Sequence, residues 1–401
     1  MLKTAQLVPA NRKYRIIIEH TKQTQHMKPL TFLWALVAFM VYSLVGYAQT
    51  DTGLKWFNPK LYPYTTLKGK AWQNTDSANY YNRLPSAAEK TVRKEVWNLA
   101  KNTAGEYIDF NTNAKKIVVK YQLAGGKSLD NMPTLGVSGL DLYAQDTENK
   151  WHWIKAAYSY NDTVTYSYEN FNPNVKIKKL RLYLPLYNTP KWLKIGVATN
   201  DDFTVEKVEE QPVLVFYGTS IMQGASASRP GMAWLNILGR KLNQPVINLG
   251  FSGNGRLEAP LIDLMSSTAA KLFVLDCQPN LTDKTVYPAE EIEKRITTSV
   301  QILKEKHPNT PILLVEHSVG LASANLDLAL TGKYIWTSQV LNNTYQKIKK
   351  SGVKGLYILT AKDIGFTDDS TIDGTHPNDL GMMRYADAYE KIIRKILNTK
   401  K

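Results

Sequence analysis

Residues 213–220 have the sequence VLVFYGTS, and this stretch decides the class of fold. A continuous apolar run that ends in Gly-Thr-Ser is typical of a buried strand of a parallel sheet followed by a sharp turn. Similar runs follow, separated by segments with helical periodicity: PVINL (245–249), LFVLD (272–276), PILLVE (311–316) and GLYIL (355–359). The alternation predicts a five-stranded parallel sheet with helices on both faces.

The sequence before this sheet has a different periodicity. Residues 51–208 contain short runs that alternate apolar and polar positions, among them KKIVVKYQL (115–123), GLDLYAQD (139–146) and WHWIKAAYS (151–159). Alternation of this kind predicts antiparallel strands, and we expect a β-sandwich with one helix over residues 87–100. The many Tyr and Trp side chains suit either stacking on sugar rings or half-buried strand positions, and the alternation favours the second interpretation.

The N-terminal residues predict export. Residues 30–45 form the apolar run LTFLWALVAFMVYSLV, which follows Met27-Lys28-Pro29 and precedes Gly46-Tyr47-Ala48. A short basic flank, an apolar run and small residues describe a signal peptide, although the run is also near the lower length of a membrane anchor. We predict residues 1–48 to be an upstream extension with a signal peptide and Met27 to be the true start. Residues 49–208 and 209–401 are then the accessory and catalytic domains of a periplasmic or secreted bacterial protein.

The charge does not predict a nucleic-acid partner. The formal net charge is +15, and removal of residues 1–48 leaves +10, with the densest cluster of lysines at residues 347–354 near a predicted helix end. Because no arginine-rich arm or finger spacing is present, an anionic polysaccharide and simple solubility explain the charge equally well. The single cysteine, Cys277, excludes an internal disulfide and a zinc site with several thiolates. The phosphate-loop and His-Glu-x-x-His patterns are absent, so we expect neither a cofactor nor a catalytic metal.

Two segments predict nucleophilic catalysis. Ser220 lies at a strand-to-helix turn, where its hydroxyl would be exposed above the sheet and a helix N-terminus would favour negative charge. Residues 373–377 have the sequence DGTHP, in which Asp373 stands three residues before His376. A carboxylate this close can accept a proton from one ring nitrogen and leave the other nitrogen to serve as the base. His317 follows an apolar strand, and we expect it to line the site rather than act as the base.

Two further turns offer hydrogen-bond donors at the same edge of the sheet. The turn NLGFSGNG (248–255) follows the second strand and supplies backbone N–H groups, and DCQPN (276–280) follows the third and supplies a side-chain amide. Together these groups are suited to form an oxyanion hole. Gly and Asn are also common in ordinary turns, so each motif taken alone is open to that interpretation.

These four motifs, in this order, resemble the sequence blocks of the SGNH (GDSL-like) hydrolases. The resemblance covers residues 210–400 and implies a three-layer α/β/α fold and a serine esterase or lipase. It implies that Ser220 is the nucleophile, His376 the base and Asp373 its orienting group. The Ser220 amide, Gly253 and Asn280 would form the oxyanion hole. The segment GLDLY (139–143) resembles the β-domain that precedes a bacterial branch of this family, whose members are thought to deacetylate carbohydrates.

Three other functions remain as alternatives. The turn at 250–255 and Asp276 imitate a dinucleotide-binding unit, but the glycine order is G-x-x-G-x-G. An inert carbohydrate-binding protein would explain the aromatic residues, and a lipase would act on longer acyl chains. We predict an exported esterase that removes small acyl groups, most simply acetyl, from a glycan or a small ester. We expect no nucleic-acid partner and no membrane association after cleavage of the signal peptide, and the oligomeric state is left open.

Overall fold

The computed structural model describes residues 53–74, 76–317 and 327–399. The predicted signal peptide and the membrane-anchor alternative lie outside these residues. Within the described ranges, no helix combines the length and the apolar character needed to cross a bilayer.

The β-rich region (residues 53–208) contains two antiparallel sheets. Its strands are β1 (Leu54–Phe57), β2 (Leu67–Lys68), β3 (Tyr107–Thr112), β4 (Lys116–Leu123), β5 (Asp141–Asp146), β6 (Trp151–Ile154), β7 (Ala156–Tyr160), β8 (Val164–Glu169), β9 (Ile177–Tyr183), β10 (Pro190–Ala198) and β11 (Phe203–Val205). One sheet has the order β1-β10-β4-β8-β7, and the other has the order β11-β3-β9-β5-β6 with β2 beside β3. Buried side chains from both sheets share one core, which confirms the predicted sandwich.

Two details of the β-rich region differ from the sequence prediction. The run WHWIKAAYS is not one strand, because β6 ends at Ile154 in one sheet and β7 begins at Ala156 in the other. Apolar residues stand side by side at Trp153-Ile154 and at Ala156-Ala157, so the alternation is interrupted where the chain changes sheet. The predicted helix over 87–100 is a 3₁₀ turn at Ser86–Lys90 followed by α1 (Lys94–Ala100). A second short helix, α2, spans Thr134–Ser138.

The α/β region (residues 209–399) contains the predicted parallel sheet. Its strands are β12 (Val213–Gly218), β13 (Val246–Gly250), β14 (Ala270–Asp276), β15 (Ile312–Val315) and β16 (Leu356–Leu359). Its helices are α3 (Ser220–Gln223), α4 (Trp234–Leu242), α5 (Ala259–Met265), α6 (Ala289–Lys306), α7 (Leu328–Lys350), α8 (Ala361–Ile364) and α9 (Asp379–Ile396).

Helices cover both faces of the parallel sheet. Alternate residues of each strand point to opposite faces, so Val215 and Tyr217 lie in one core with α5, α6 and α7, and Leu214 and Phe216 lie in another with α4 and α9. This arrangement confirms the three-layer α/β/α fold. Helix α1 of the β-rich region also packs into the first of these cores through Val96 and Trp97.

The order of the strands determines where the candidate active site lies in the α/β region. The sheet has the order β13-β12-β14-β15-β16, so the connections from β12 and β13 leave in opposite directions along the sheet. Ligands of open α/β sheets bind beyond the carboxyl ends of the strands where such a reversal occurs. Ser220 directly follows β12 and therefore lies at this reversal.

Candidate active site

The turn after β12 places the Ser220 hydroxyl at the carboxyl edge of the sheet, where the residue is buried rather than exposed as the sequence predicted. Thr219 caps α3 and accepts a hydrogen bond from the Ile221 N–H, and Ser220 is the first residue of the helix. Helix α3 is a single turn that ends at Gln223 and is followed by Gly224, whose φ of 108° suits glycine. The predicted helix dipole is therefore small, and any stabilisation of an anion here depends on individual N–H groups.

Ser220, His376 and Asp373 form a continuous hydrogen-bonded chain. Ser220 Oγ lies 2.8 Å from His376 Nε2, and His376 Nδ1 lies 2.7 Å from Asp373 Oδ2. The other carboxylate oxygen of Asp373 accepts the backbone N–H groups of Thr375 at 3.0 Å and of His376 at 2.7 Å. The loop thus holds the carboxylate and the imidazole in one orientation, although 156 residues separate the serine from the histidine.

The charges at this site agree with that arrangement. Partial burial opposes ionisation of Asp373, but the hydrogen bonds from His376 and Thr375 outweigh it and lower the pKa of this carboxyl. Burial, together with the neighbouring His376, lowers the pKa of His317 to about 3. His317 is therefore neutral at ordinary pH and packs edge-on against Tyr334, with ring centroids 4.2 Å apart.

The predicted oxyanion donors follow the two neighbouring strands. The oxyanion turn (residues 250–255) includes Gly253, which is exposed and adopts a φ of 67°. Asn280 Oδ1 accepts the Gly255 N–H at 3.0 Å, so the amide Nδ2 of Asn280 is its remaining donor group. Ser220 occupies the first position of α3, where the backbone N–H has no intrahelical partner.

Two glycines allow the turns to approach each other closely. A Cβ atom at Gly255 would lie 2.1 Å from the carbonyl oxygen of Gly218, and one at Gly250 would lie 2.2 Å from the backbone nitrogen of Gln223. Both contacts are far shorter than van der Waals distance, so larger residues at these positions would push the oxyanion turn away from the serine turn.

The contacts of His152, His307 and Asp276 are structural. His152 pairs with Asp146, and His307 Nε2 lies 2.8 Å from the Ser266 carbonyl oxygen. Asp276 is buried and accepts a hydrogen bond from Tyr389 at 2.7 Å, so it does not face a ribose as the dinucleotide alternative requires. Burial raises the pKa of Asp276 to about 7. Among the described residues, no group of three or more His, Cys, Asp or Glu is placed to hold a metal ion.

Several residues that support the site have no local signal in the sequence. Gln223 Oε1 accepts the Ser252 N–H at 3.0 Å, which links the serine turn to the oxyanion turn. Tyr187, from the β-rich region, donates to the carbonyl oxygen of Ser220 at 3.3 Å. Tyr334 Oη lies 2.9 Å from Thr375 Oγ1 in the histidine loop. Each contact joins segments far apart in the chain, so spacing alone does not predict them.

The GLDLY segment joins the β-rich region to the loop after α3. Asp141 Oδ2 accepts hydrogen bonds from Arg229 Nη1 at 2.8 Å and from the Gly231 N–H at 2.6 Å. The Tyr143 hydroxyl accepts a second bond from Arg229 at 2.8 Å, and the Trp153 indole N–H donates to Asp141 at 3.0 Å. The acid and the tyrosine of this motif therefore fix the connection between the turn that carries Ser220 and α4.

A three-layer α/β/α fold with a Ser–His–Asp chain at its carboxyl edge is the arrangement of a serine hydrolase. Residues 210–394 match the model of the GDSL-like lipase/acylhydrolase family, and residues 54–203 match the model of the N-terminus of SGNH-hydrolase-type esterases. The chain belongs to the GDSL-like lipase/acylhydrolase family and carries the GxDLY type of N-terminal domain, as the sequence motifs predicted.

Solved structures with the same fold cover most of the chain. A GDSL-like lipase structure from Bacteroides ovatus is 32% identical, covers 86% of this chain and 99% of its own, and has a TM-score of 0.76. A salicylyl-acyltransferase of a tetracycline biosynthetic pathway is 19% identical with a TM-score of 0.66, covering 86% and 99%. A family two carbohydrate esterase from Cellvibrio japonicus is 12% identical with a TM-score of 0.52, covering 86% and 98%. No curated protein matches the chain.

Proposed function

We propose that this protein is an exported serine esterase that removes acetyl groups from a carbohydrate. The observation that carries the proposal is the hydrogen-bonded chain from Ser220 through His376 to Asp373 at the carboxyl edge of the sheet. Such a chain makes a serine hydroxyl nucleophilic because the imidazole accepts its proton and the carboxylate stabilises the resulting imidazolium. Membership of an acylhydrolase family supports ester cleavage.

The geometry supports a two-step reaction through an acyl-enzyme. Ser220 Oγ attacks the ester carbonyl carbon while its proton passes to His376 Nε2. The tetrahedral intermediate collapses when His376 returns that proton to the departing sugar oxygen, which leaves the acyl group on Ser220. A water molecule then attacks the acyl carbon while His376 takes its proton. This second intermediate collapses when His376 returns the proton to Ser220 Oγ, and the products are the carboxylic acid and the free serine.

The negative oxygen of each intermediate would lie against three donors. These are the backbone N–H groups of Ser220 and Gly253 and the side-chain amide of Asn280. The Gly255 N–H supports this role because it occupies Asn280 Oδ1 and thereby leaves the NH₂ group as the donor. Donors fixed before the reaction stabilise the transition state without reorganisation, and each typically contributes about 10²–10³-fold in rate.

Two observations favour a small acyl group on a sugar. The fold is shared with a family two carbohydrate esterase, and the sequence of the α/β region contains no long apolar segment that would form a lid over a fatty acyl chain. Export to the periplasm or beyond the cell rests on the signal-peptide pattern of residues 30–48. A glycan substrate would be accessible in either place.

The first experiment tests the nucleophile. We expect the purified protein to hydrolyse p-nitrophenyl acetate and Ser220→Ala to be inactive. Ser226→Ala is the matched control, because both serines are 7% exposed and Ser226 Oγ has no hydrogen-bond partner within the described part of the chain. Equal rates for the wild type and Ser220→Ala would contradict the assignment. Inactivity of the wild type on all esters would favour the inert carbohydrate-binding alternative.

The second experiment tests the acyl group and the sugar. Nitrophenyl acetate, butyrate and octanoate separate an acetylesterase from a lipase, since a lipase should prefer the longer chains. Release of acetate should then be measured from acetylated xylan, xyloglucan, pectin and sialylated substrates. Hydrolysis of octanoate in preference to acetate, with no acetate released from any glycan, would contradict the carbohydrate acetylesterase.

A further inference from the structure

One arginine of the β-rich region reaches the end of strand β13 in the α/β region. Arg83 is 1% exposed, and its Nη1 donates to the carbonyl oxygens of Asn248 at 3.0 Å and of Gly250 at 2.7 Å. Its Nε and Nη2 donate to the carbonyl oxygens of Asn102 and Leu99, both at 2.8 Å. The guanidinium therefore bridges the end of α1 and the strand that leads into the oxyanion turn.

The carbonyl groups of Asn248 and Gly250 lie at a strand edge that pairs with no other strand of the described residues. Strand β13 lies at the edge of the parallel sheet, and its pairing with β12 continues to the Phe251 N–H, which donates to the carbonyl oxygen of Gly218. Successive peptide groups of a strand point in opposite directions, so the carbonyls of Asn248 and Gly250 point away from β12. Buried carbonyl groups at such an edge require donors from elsewhere, and Arg83 supplies them.

The same contacts determine where the oxyanion turn begins. The Arg83 guanidinium lies over the ring of Phe251, 4.8 Å from its centroid, and Gly253 is only two residues further along the chain. Near the other end of the turn, Arg93 of the β-rich region donates to Asn254 Oδ1 at 2.8 Å. The β-rich region thus holds the turn at both ends, and Gly253 between them is exposed.

We propose that Arg83 is a positioning residue that holds the oxyanion turn at the distance from Ser220 that the transition state requires. The β-rich region is then a working part of the active site. A guanidinium suits this role because its planar fork presents several donors in fixed directions, which a lysine ammonium does not. The kinetic effect expected of Arg83 rests on the proposed esterase function. The effect of Arg83 on the turn rests on the contacts alone.

The test compares Arg83 with a second buried arginine. Arg181 is 8% exposed, donates two hydrogen bonds to Asp109 within the β-rich region and stacks on Tyr107 with its guanidinium 3.8 Å from the ring centroid. Arg83→Met, Arg83→Lys and Arg181→Met should be compared with the wild type for thermal unfolding, steady-state kinetics on p-nitrophenyl acetate and amide hydrogen exchange of residues 249–255. Arg83→Lys keeps the charge and serves as the folded variant if Arg83→Met does not fold.

The expected result separates positioning from general stability. At a temperature where each protein is folded, we expect the Arg83 variants to lose about 10- to 100-fold in kcat with KM changed less than about threefold. The amide hydrogens of residues 249–255 should also exchange faster in these variants, by about tenfold or more, because the buried hydrogen bonds that protect them open more often. Arg181→Met should lower the melting temperature without either change. A fourth variant, Arg83→Ala, removes the whole guanidinium side chain, and added guanidinium ion should restore part of its kcat.

Two results would overturn the proposal. Unchanged exchange of residues 249–255 in a folded Arg83 variant would show that the arginine does not hold the turn, whether or not the protein is an esterase. An activity loss that parallels the melting temperature equally in the Arg83 and Arg181 variants would show a purely structural role. If the wild type hydrolyses no ester, the proposed function fails, and the exchange measurement still decides whether Arg83 holds the turn.

Discussion

Replacement of Asp373 by asparagine should trap His376 in the wrong tautomer. The carboxylate Oδ1 accepts the backbone N–H groups of Thr375 and His376, and Oδ2 faces the imidazole Nδ1. An asparagine keeps both backbone bonds only if its carbonyl oxygen takes the Oδ1 position. Its NH₂ group then donates to Nδ1, which moves the imidazole proton to Nε2, and a protonated Nε2 cannot accept the Ser220 proton.

The size of the effect follows from these bonds. Turning the amide to restore the productive tautomer would break two hydrogen bonds worth about 1 kcal/mol each. The population of the productive tautomer therefore falls by about 30-fold. Loss of the negative charge beside the imidazolium removes about a further 1 kcal/mol of transition-state stabilisation. The value is small because the Asp373 side chain is 40% exposed and solvent screens the pair. We expect kcat/KM to fall about 10²-fold, less than the roughly 10⁴-fold found where such an aspartate is buried.

The assay is kcat/KM on p-nitrophenyl acetate, with thermal unfolding as the check on folding. Asp379→Asn is the matched control, because Asp379 also binds a backbone N–H and a hydroxyl group, both from Ser228, and hydrogen-bonds to no histidine among the described residues. Asp379→Asn should stay within about threefold of the wild type, as expected for a substitution that leaves the Ser–His–Asp chain intact. An Asp373→Asn rate within about threefold of the wild type would refute the argument that the aspartate sets the tautomer.

Three further predictions concern the surroundings of the site. Asn280→Asp keeps the acceptor for the Gly255 N–H but loses the donor, so the melting temperature should change little while kcat falls by about 10²–10³-fold; an unchanged kcat would remove Asn280 from the oxyanion hole. Gly255→Ala places a Cβ atom 2.1 Å from the Gly218 carbonyl oxygen, so both stability and activity should be lost in unfolding and rate measurements. Burial raises the pKa of Glu106 from 4.5 to about 8, so the folded protein binds more protons than the unfolded chain between these values. The free energy of unfolding of the wild type should therefore fall relative to that of Glu106→Gln as pH rises from 5 to 8, by at most about 1.4 kcal/mol per pH unit. Urea titrations at several pH values measure both free energies, and the same pH dependence in the two proteins would contradict the prediction.

The parallel sheet and the polar chain at its edge were predictable because their signals are local. Each strand is a continuous apolar run, and Asp373 lies close enough to His376 in sequence for the loop itself to join them. The strand ends also predicted that Ser220, Gly253 and Asn280 follow neighbouring strands. These residues are assigned by sequence order and by the direction of a parallel sheet, which requires no knowledge of distant contacts.

What the sequence could not predict depends on contacts between distant segments. Arg83 binds carbonyl groups 165 and 167 residues away. A backbone carbonyl at a sheet edge does not require a particular side chain, so the sequence contains no signal for this contact. The chain changes sheet between Ile154 and Ala156, where the alternation of apolar and polar residues is interrupted. An interruption does not show which sheet the next strand joins. The length of the helix after Ser220 was not predicted either, because only the structure shows that the glycine four residues later ends it after one turn.

The state of Cys277 has a consequence for where this chain can fold. It is the single cysteine of the sequence, it is 1% exposed, and burial raises the pKa of its thiol well above the ordinary range. A buried protonated thiol reacts slowly with oxidants and with other disulfides. The fold uses no covalent cross-link within the chain, so it should form without an oxidant or an isomerase and remain the same in reducing and oxidising surroundings.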